Sequence, residues 1–142
     1  MTEKLKVGIA GYGVVGNRRR EVIDAHPALE TVAVSDRKLE GDGTFEDGVR
    51  YYDDYKKLLE EKLDVLFVCL TNDINPDATI GGLERGMHVF CEKPPGRDVA
   101  DIVRVMECEK KCHGLKLKYG FNHRYHDSVR DALEILHSGE LG

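Results

Sequence analysis

A glycine turn near the start of the chain constrains the fold more than any other feature. An apolar run over residues 4–10 leads directly into Gly-x-Gly-x-x-Gly at Gly11–Gly16, and a helical pattern follows. This order is typical of a strand, a tight turn and a helix whose N-terminus faces a pyrophosphate. We interpret Gly11 as permitting the turn, Gly13 as allowing close approach to the pyrophosphate, and Gly16 as letting the helix pack on the strand.

An acidic residue follows the second apolar run. Thr31–Ser35 ends at Asp36, which lies 20 residues after Gly16. A carboxylate there accepts hydrogen bonds from an adenosine ribose and repels a 2′-phosphate, so the pattern favours NAD. The cations Arg37 and Lys38 come next and could contact an adenosine 2′-phosphate, so NADP remains an alternative cofactor. The alternative is a glycine turn in an α/β domain that binds no ligand.

Composition argues against several classes of protein. A net charge of −5 over 142 residues is not the basic balance of a nucleic-acid-binding domain. No apolar stretch approaches the roughly 18 residues of a membrane span. The polar N-terminus enters a strand at once and shows no signal peptide, so we expect a cytoplasmic protein.

The four cysteines do not suggest a disulfide framework. Cys69 and Cys91 lie in apolar runs, whereas Cys108, Cys112 and His113 offer too few ligands for a metal site. The acidic residues between 40 and 47 lack the alternating pattern of a calcium loop. We therefore expect reduced thiols and no metal.

Strand and helix patterns alternate along almost the whole chain. Strands are predicted near residues 4–10, 30–36, 49–52, 64–70, 88–91 and 115–121, and a loop over residues 37–48. Helices are predicted near residues 14–25, after a cap at Asp53, over 75–85, from a cap at Asp98 to about Gly114, and over 127–137. The alternation predicts an α/β fold, a doubly wound parallel sheet of the Rossmann type in three α/β/α layers.

In such a sheet, ligands bind beyond the carboxyl ends of the strands. We therefore expect polar segments to converge at that edge: Gly11–Gly16, Asp36–Arg37, Thr71–Asn75, Glu92–Pro95 and Asn122–His126.

The run Glu92-Lys93-Pro94-Pro95 is the second informative motif, because it directly follows a predicted strand. A lysine at the rim of a nicotinamide site can donate a hydrogen bond to a substrate oxygen or transfer a proton. The two prolines restrict the backbone around it. From the residues alone, a charged turn that ends a strand remains an alternative.

Together these motifs resemble the Gfo/Idh/MocA family of NAD(P)-dependent oxidoreductases. The resemblance covers essentially the whole chain and rests on Gly11–Gly16, Asp36, Glu92-Lys93-Pro94, Gly120–Tyr125 and Leu136–Gly142. It implies a dinucleotide-binding Rossmann domain at residues 1–122. Residues 123–142 would then form a helix and a junction toward the family's second α/β domain, which we expect to be absent from these 142 residues.

The resemblance also implies an activity and residue roles. The enzyme would transfer a hydride between nicotinamide and a hydroxyl or carbonyl carbon of a sugar, inositol or nucleotide-sugar derivative. Lys93 would be the catalytic lysine on the reacting oxygen, with Glu92 beside the nicotinamide ribose, Arg124 near the nicotinamide edge and a cis Lys93–Pro94 bond. A homo-oligomer is expected of the full-length form. The predicted cofactor-binding residues are Gly11, Gly13, Val14, Val15, Gly16, Asp36, Arg37, Leu70, Thr71, Asn72, Asn75, Glu92, Lys93 and Arg124.

Two features depart from the family pattern. Asn75 stands where the family often has a histidine, and an amide can donate a hydrogen bond but cannot act as an acid or base. The family's further catalytic residues belong to the second domain. His123 and His126, which flank Arg124, could substitute as acid or base, although solvated histidines are the alternative.

Two other interpretations stay open. The chain could be a non-catalytic NAD(H)-binding sensor or interaction module. It could also be a product cut at a domain junction, in which case we expect an exposed apolar patch and self-association.

Overall fold

The structure, a computed structural model, describes residues 3–142, and its strands all belong to one sheet. The strands are β1 (Leu5–Ala10), β2 (Leu29–Ser35), β3 (Gly43–Thr44), β4 (Arg50–Tyr52), β5 (Val65–Val68), β6 (His88–Cys91) and β7 (Leu117–Tyr119). The helices are α1 (Val14–Ala25), α2 (Tyr55–Leu58), α3 (Asn75–Glu84), α4 (Val99–Lys111) and α5 (Asp127–Ser138). A 3₁₀ helix covers Asn122–Tyr125.

The strand order is β3-β4-β2-β1-β5-β6-β7. Every neighbouring pair is parallel except β3–β4, which is antiparallel. The chain moves outward from β1 to β4 and then returns to β5 on the other side of β1. Such a reversal is the topological switch point of a doubly wound sheet. The predicted fold class is confirmed.

Alternate strand positions build two cores, one on each face of the sheet. On one face, Leu66 and Val68 of β5 pack with Leu58 of α2, Leu83 of α3 and Cys108 of α4. On the other face, the buried apolar residues are Val7, Ile9, Ile23, Val34 and Val49, of which Ile23 comes from α1. The two faces of the sheet are therefore covered unevenly, because α2, α3 and α4 pack on one face and α1 packs on the other.

The predicted elements agree with the observed ones to within a few residues, with two corrections in the region of β3 and α2. The predicted loop over residues 37–48 contains β3, which pairs with β4. The predicted cap Asp53 is wrong, because Asp54 caps α2 by accepting a hydrogen bond from the Lys56 N–H at 2.9 Å. Asp53 instead accepts a hydrogen bond from Lys57 Nζ at 2.8 Å.

Apolar spacing located α1 and α4 but did not identify their buried sides. Of the apolar residues that mark α1, Ile23 is buried, while Val14, Val15 and Val22 are exposed. The apolar residues that predict α4 are Val99, Ile102, Val103 and Met106. Ile102 is half-buried, and the other three are exposed. The buried residues of α4 are Asp101, Val105 and Cys108.

All four cysteines are free thiols. Burial raises the pKa of Cys91 to about 11, so this thiol stays protonated at neutral pH. Within residues 3–142, no group of three or more His, Cys, Asp or Glu side chains is arranged to hold a metal ion. None of the helices in that range is both long enough and apolar enough to cross a membrane.

Candidate functional site: a dinucleotide cleft at the carboxyl edge of the sheet

The glycine turn follows β1 and is tied to the end of β2. The N–H groups of Gly11 and Tyr12 both donate to the Ser35 carbonyl oxygen, at 2.8 and 2.9 Å. Gly11 has φ +95°, a conformation that favours glycine, and a Cβ there would overlap the backbone of Cys69. A Cβ on Gly16 would overlap the Gly11 carbonyl oxygen. These two glycines are therefore required by the chain's own packing.

The turn leaves the start of α1 open to a ligand. Gly13 is the N-cap of α1, and no side chain of the described residues caps its N–H groups. Asn17, which sequence reasoning missed, donates from Nδ2 to the carbonyl oxygens of Tyr12 and Gly13 at 3.0 and 2.9 Å. Free N–H groups at a helix N-terminus attract phosphate oxygens. The turn thus fits a pyrophosphate.

Asp36 lies directly after β2 and is half-buried. Its Oδ1 accepts a hydrogen bond from the Lys38 N–H at 3.0 Å, which fixes the carboxylate. Its Oδ2 lies 3.9 Å from the place where a Cβ on Gly13 would stand. The carboxylate therefore borders the glycine turn, where a ribose attached to the pyrophosphate would lie.

A cavity of about 880 Å³ opens at this edge of the sheet. Six of the predicted cofactor-binding residues line it: Gly11, Gly13, Asp36, Arg37, Leu70 and Thr71. Sequence reasoning did not place the following lining residues there: Ser35, Leu39, Asp53, Asp54, Tyr55, Lys57 and Cys69. They come from the ends of β2, β4 and β5 and from α2. Leu39, Asp53 and Asp54 follow predicted strands, and Ser35 and Cys69 are among the last residues of predicted strands; that position was the signal for them.

Four of these missed residues, Asp53, Tyr55, Lys57 and Cys69, have shifted pKa values, and the shift is large for Lys57 and Cys69. Burial raises the pKa of the Cys69 thiol to about 12, so it is a protonated wall of the cavity and not a nucleophile. Lys57 pairs with Asp53 at 2.8 Å and with Asp42 at 2.9 Å, and these hydrogen bonds raise its pKa. Lys57 therefore stays protonated, and the carboxylates of Asp53 and Asp42 balance its charge at the cavity rim.

Several predicted cofactor-binding residues lie outside the cavity lining. Val14 and Val15 are exposed on the first turn of α1, Gly16 is buried beneath Gly11, and Asn72 is exposed in the loop after β5. The prediction that Asn75 faces the cofactor needs correction. Its side chain is completely buried, and Nδ2 donates to the Pro94 carbonyl oxygen at 3.0 Å. Asn75 thus holds the backbone after Lys93.

The motif Glu92-Lys93-Pro94 follows β6 directly, as expected. The Lys93–Pro94 bond is cis. The Lys93 side chain is exposed. Glu92 is only 9 % exposed and forms an ion pair with Arg19 of α1, with Arg19 Nε 2.6 Å from Glu92 Oε1. Sequence reasoning missed Arg19, because its partner lies 73 residues away.

Residues 121–128, which follow Gly120 after β7, are exposed and do not line the cavity. Arg124 belongs to the 3₁₀ helix and is exposed. The rings of His123 and His126 stack on each other with centroids 4.8 Å apart, and both side chains are exposed. Tyr125 accepts a hydrogen bond from Lys118, and that bond lowers the pKa of the phenol.

Comparison with known proteins identifies the family to which this fold belongs. A family model described as an oxidoreductase family with an NAD-binding Rossmann fold matches residues 5–121. Inositol 2-dehydrogenase of Salmonella typhimurium is 31% identical over 97% of this chain and 43% of its own length. D-glucoside 3-dehydrogenase of Escherichia coli is 32% identical over 97% of this chain and 40% of its own length. The chain thus spans less than half the length of these curated relatives.

Solved structures show the same architecture. Myo-inositol 2-dehydrogenase from Lactobacillus plantarum matches 99% of this chain and 43% of its own, with a TM-score of 0.83 and 25% identity. Scyllo-inositol dehydrogenase from Lactobacillus casei, solved with NAD(H) and scyllo-inositol, has a TM-score of 0.83 and 23% identity over 99% of this chain and 43% of its own. At this level of identity, the likeness supports the fold alone. This chain belongs to the Gfo/Idh/MocA oxidoreductase family and carries its NAD-binding Rossmann fold.

Proposed function

We propose that this chain is the cofactor-binding portion of an NAD-dependent dehydrogenase. Its reaction would be hydride transfer between nicotinamide and a hydroxyl or carbonyl carbon of a sugar, inositol or nucleotide-sugar derivative. One observation carries the proposal: the glycine turn and Asp36 border the same cavity of about 880 Å³ at the switch point of the sheet. The names of the relatives support polyol or sugar substrates.

In this proposal, different residues of the chain bind the cofactor and contact the substrate. The N–H groups at the start of α1 bind the pyrophosphate, and Asp36 accepts hydrogen bonds from the adenosine ribose. NAD, when bound, supplies the hydride acceptor. Lys93 is exposed beyond the carboxyl end of β6, where its ammonium group can donate a hydrogen bond to the substrate oxygen and hold or release a proton there. We propose Glu92 and Arg124 as its neighbours at the nicotinamide end.

The division of the chain is part of the same proposal. Residues 1–122 would be the dinucleotide-binding domain, and 123–142 a helix and junction toward a substrate-binding domain. Catalysis would need that domain, or another chain, to complete the pocket. A homo-oligomer and a cytoplasmic location belong to the proposal too, and four free cysteines support a reducing compartment.

A fluorescence titration with NADH tests the cofactor site directly. The chain has no Trp, so cofactor emission can be followed with little interference from the protein. Asp36→Ala should weaken NADH binding about tenfold, because a charged hydrogen-bond acceptor for the ribose is lost. Asp127→Ala, which removes an exposed carboxylate on α5, is the matched control. Equal NADH affinity in Asp36→Ala and the parent would contradict the proposal.

A non-catalytic NAD(H)-binding sensor or interaction module is the second candidate. One observation favours it: the cavity is built from residues 11–74 and does not include Lys93. Lys93→Ala separates the two functions. If the protein is an enzyme, Lys93→Ala should abolish turnover and retain the affinity for NADH. If it is a non-catalytic module, Lys93→Ala should change partner binding only.

A further inference from the structure

The ion pair between Arg19 and Glu92 connects the two motifs of the proposed site. Arg19 lies on α1, three residues after Gly16, and Glu92 is the first residue beyond β6. Both Nε and Nη2 of Arg19 contact the same carboxylate oxygen, Oε1. The helix that starts at the pyrophosphate turn is thereby joined to the residue that precedes Lys93.

Aromatic packing restrains the Arg19 guanidinium. Its central carbon lies 5.2 Å from the centroid of the Phe90 ring, which in turn stacks on Phe67 at 4.9 Å. The Arg19 side chain is 32% exposed and that of Glu92 is 11% exposed, so solvent screens their attraction only in part. The pair is therefore more than a contact between two mobile surface side chains.

The second oxygen of Glu92 is enclosed by the segment after β7. A Cβ on Gly120 would stand 2.9 Å from Glu92 Oε2, closer than a real side chain can approach. The Gly120 N–H donates to the Cys91 carbonyl oxygen at 2.9 Å, which keeps this backbone against β6. The carboxylate is held between Arg19 on one side and the Gly120 backbone on the other.

The residue after Lys93 is held independently. Asn75, completely buried at the start of α3, donates to the Pro94 carbonyl oxygen at 3.0 Å. Lys93 is thus an exposed side chain between two restrained neighbours. Loss of either restraint would leave the backbone at Lys93 free to move.

We propose that Arg19 is the positioning residue of the Glu92–Lys93 segment, which it fixes through the Glu92 carboxylate. This inference rests on the proposed function, in which that segment meets the nicotinamide end of the cofactor. Arg19 then contributes to the nicotinamide half of the cleft alone, while the glycine turn and Asp36 hold the adenosine half.

Calorimetric titrations with NADH and with ADP-ribose, which lacks nicotinamide, test this assignment. Arg19→Met should weaken NADH binding about fivefold and leave ADP-ribose binding within about twofold. Arg18→Met is the matched control, since it removes the same charge from an exposed neighbouring position on α1. Its affinities for both ligands should equal those of the parent. Arg19→Lys should recover part of the NADH affinity, because it restores a cation opposite Glu92.

A double variant shows whether Arg19 acts through Glu92. If it does, Arg19→Met with Glu92→Gln should bind NADH no more weakly than Glu92→Gln alone. Independent, additive losses would overturn the assignment. Equal weakening of NADH and ADP-ribose by Arg19→Met would also overturn it, because that pattern indicates general damage to the fold. A parent chain that binds neither ligand would instead refute the proposed function.

Discussion

At the residue scale, Gly13 and Gly16 belong to one motif but meet different constraints. A Cβ on Gly13 would meet only Asp36 Oδ2, at 3.9 Å, which is an ordinary contact. A Cβ on Gly16 would overlap the Gly11 carbonyl oxygen and stand 3.3 Å from Ile9. The chain itself tolerates a side chain at Gly13 and excludes one at Gly16. Any requirement for glycine at position 13 must then come from a ligand.

Alanine at each position separates these constraints. Gly16→Ala should lower the free energy of unfolding by about 2 kcal/mol or more, because backbone must shift to admit the methyl group. Gly13→Ala should cost less than about 1 kcal/mol but weaken NADH binding at least about tenfold. Urea denaturation and NADH titration measure the two effects. A Gly13→Ala chain with unchanged NADH affinity would show that no pyrophosphate approaches this turn.

Asp101 is a buried carboxylate whose charge should stabilise the fold in a pH-dependent way. Hydrogen bonds from Arg97, at 3.0 Å from Nε and 3.1 Å from the backbone N–H, lower the pKa of Asp101 below its ordinary value. A lowered folded-state pKa gives stability that is present above the unfolded-state value and lost as pH falls through the folded-state value.

Asp101→Asn should therefore melt at a lower temperature than the parent at neutral pH. The difference in melting temperature should shrink as the pH falls through the lowered folded-state pKa of Asp101, because the parent carboxylate then becomes protonated as well. Thermal melts across this pH range provide the measurement. A difference that stayed constant would mean that the Arg97 hydrogen bonds do not depend on the Asp101 charge.

At the scale of elements, most strands and helices were predictable because their end signals are local. His88–Cys91 was predicted with its observed bounds, and Asp98 caps α4 as expected by accepting from the Asp101 N–H at 3.0 Å. Gly139, in the left-handed conformation, ends α5. Positions just after strands also identified Gly11, Asp36 and Thr71 as residues of the cleft.

The sequence could not reveal which residues pair across elements. Arg19 and Glu92 are separated by 73 residues, and the Asn75 and Pro94 pair by 19. Neither pair has a local signal, since each forms only when β6 lies beside β5. For the same reason Asn75 was assigned to the cofactor instead of to the backbone after Lys93.

The corrected start of α2 leads to a prediction at this scale. Asp54→Ala should cost about 1 kcal/mol of stability, because the side chain caps a helix of only four residues. Asp53→Ala should cost less, since Asp53 makes an exposed ion pair with Lys57. Chemical denaturation of both variants gives the comparison. A larger loss for Asp53→Ala would restore the capping role to that residue.

At the scale of the whole molecule, the covering of the sheet is uneven and α5 is nearly unpacked. None of the residues of α5, all within the described range, is buried. Leu133, Leu136 and Leu141 are exposed, and α5 packs mainly against the 3₁₀ helix. An apolar surface of this kind favours association.

We therefore expect the chain to self-associate as its concentration rises. Replacing both Leu133 and Leu136 by Glu should shift the molecule toward the monomer, because two charges would be buried in the contact. Asp131→Lys, on the opposite side of α5, should leave the association unchanged. Sedimentation velocity over a range of concentrations measures the effect. A parent chain that stays monomeric at high concentration would contradict the expectation.

The central position of β1 has a consequence for how the molecule forms during synthesis. β1 leaves the ribosome before the other described strands and pairs with β2 on one side and with β5 on the other. Val7 can pair with Val65 only after β5 has been synthesised. Until then the nascent chain carries a strand with an unpaired edge that can pair with other copies. Closing the long crossover to β5 is a non-local event, so we expect it to limit the folding rate. Translation speed between β4 and β5 should therefore affect the yield of native protein.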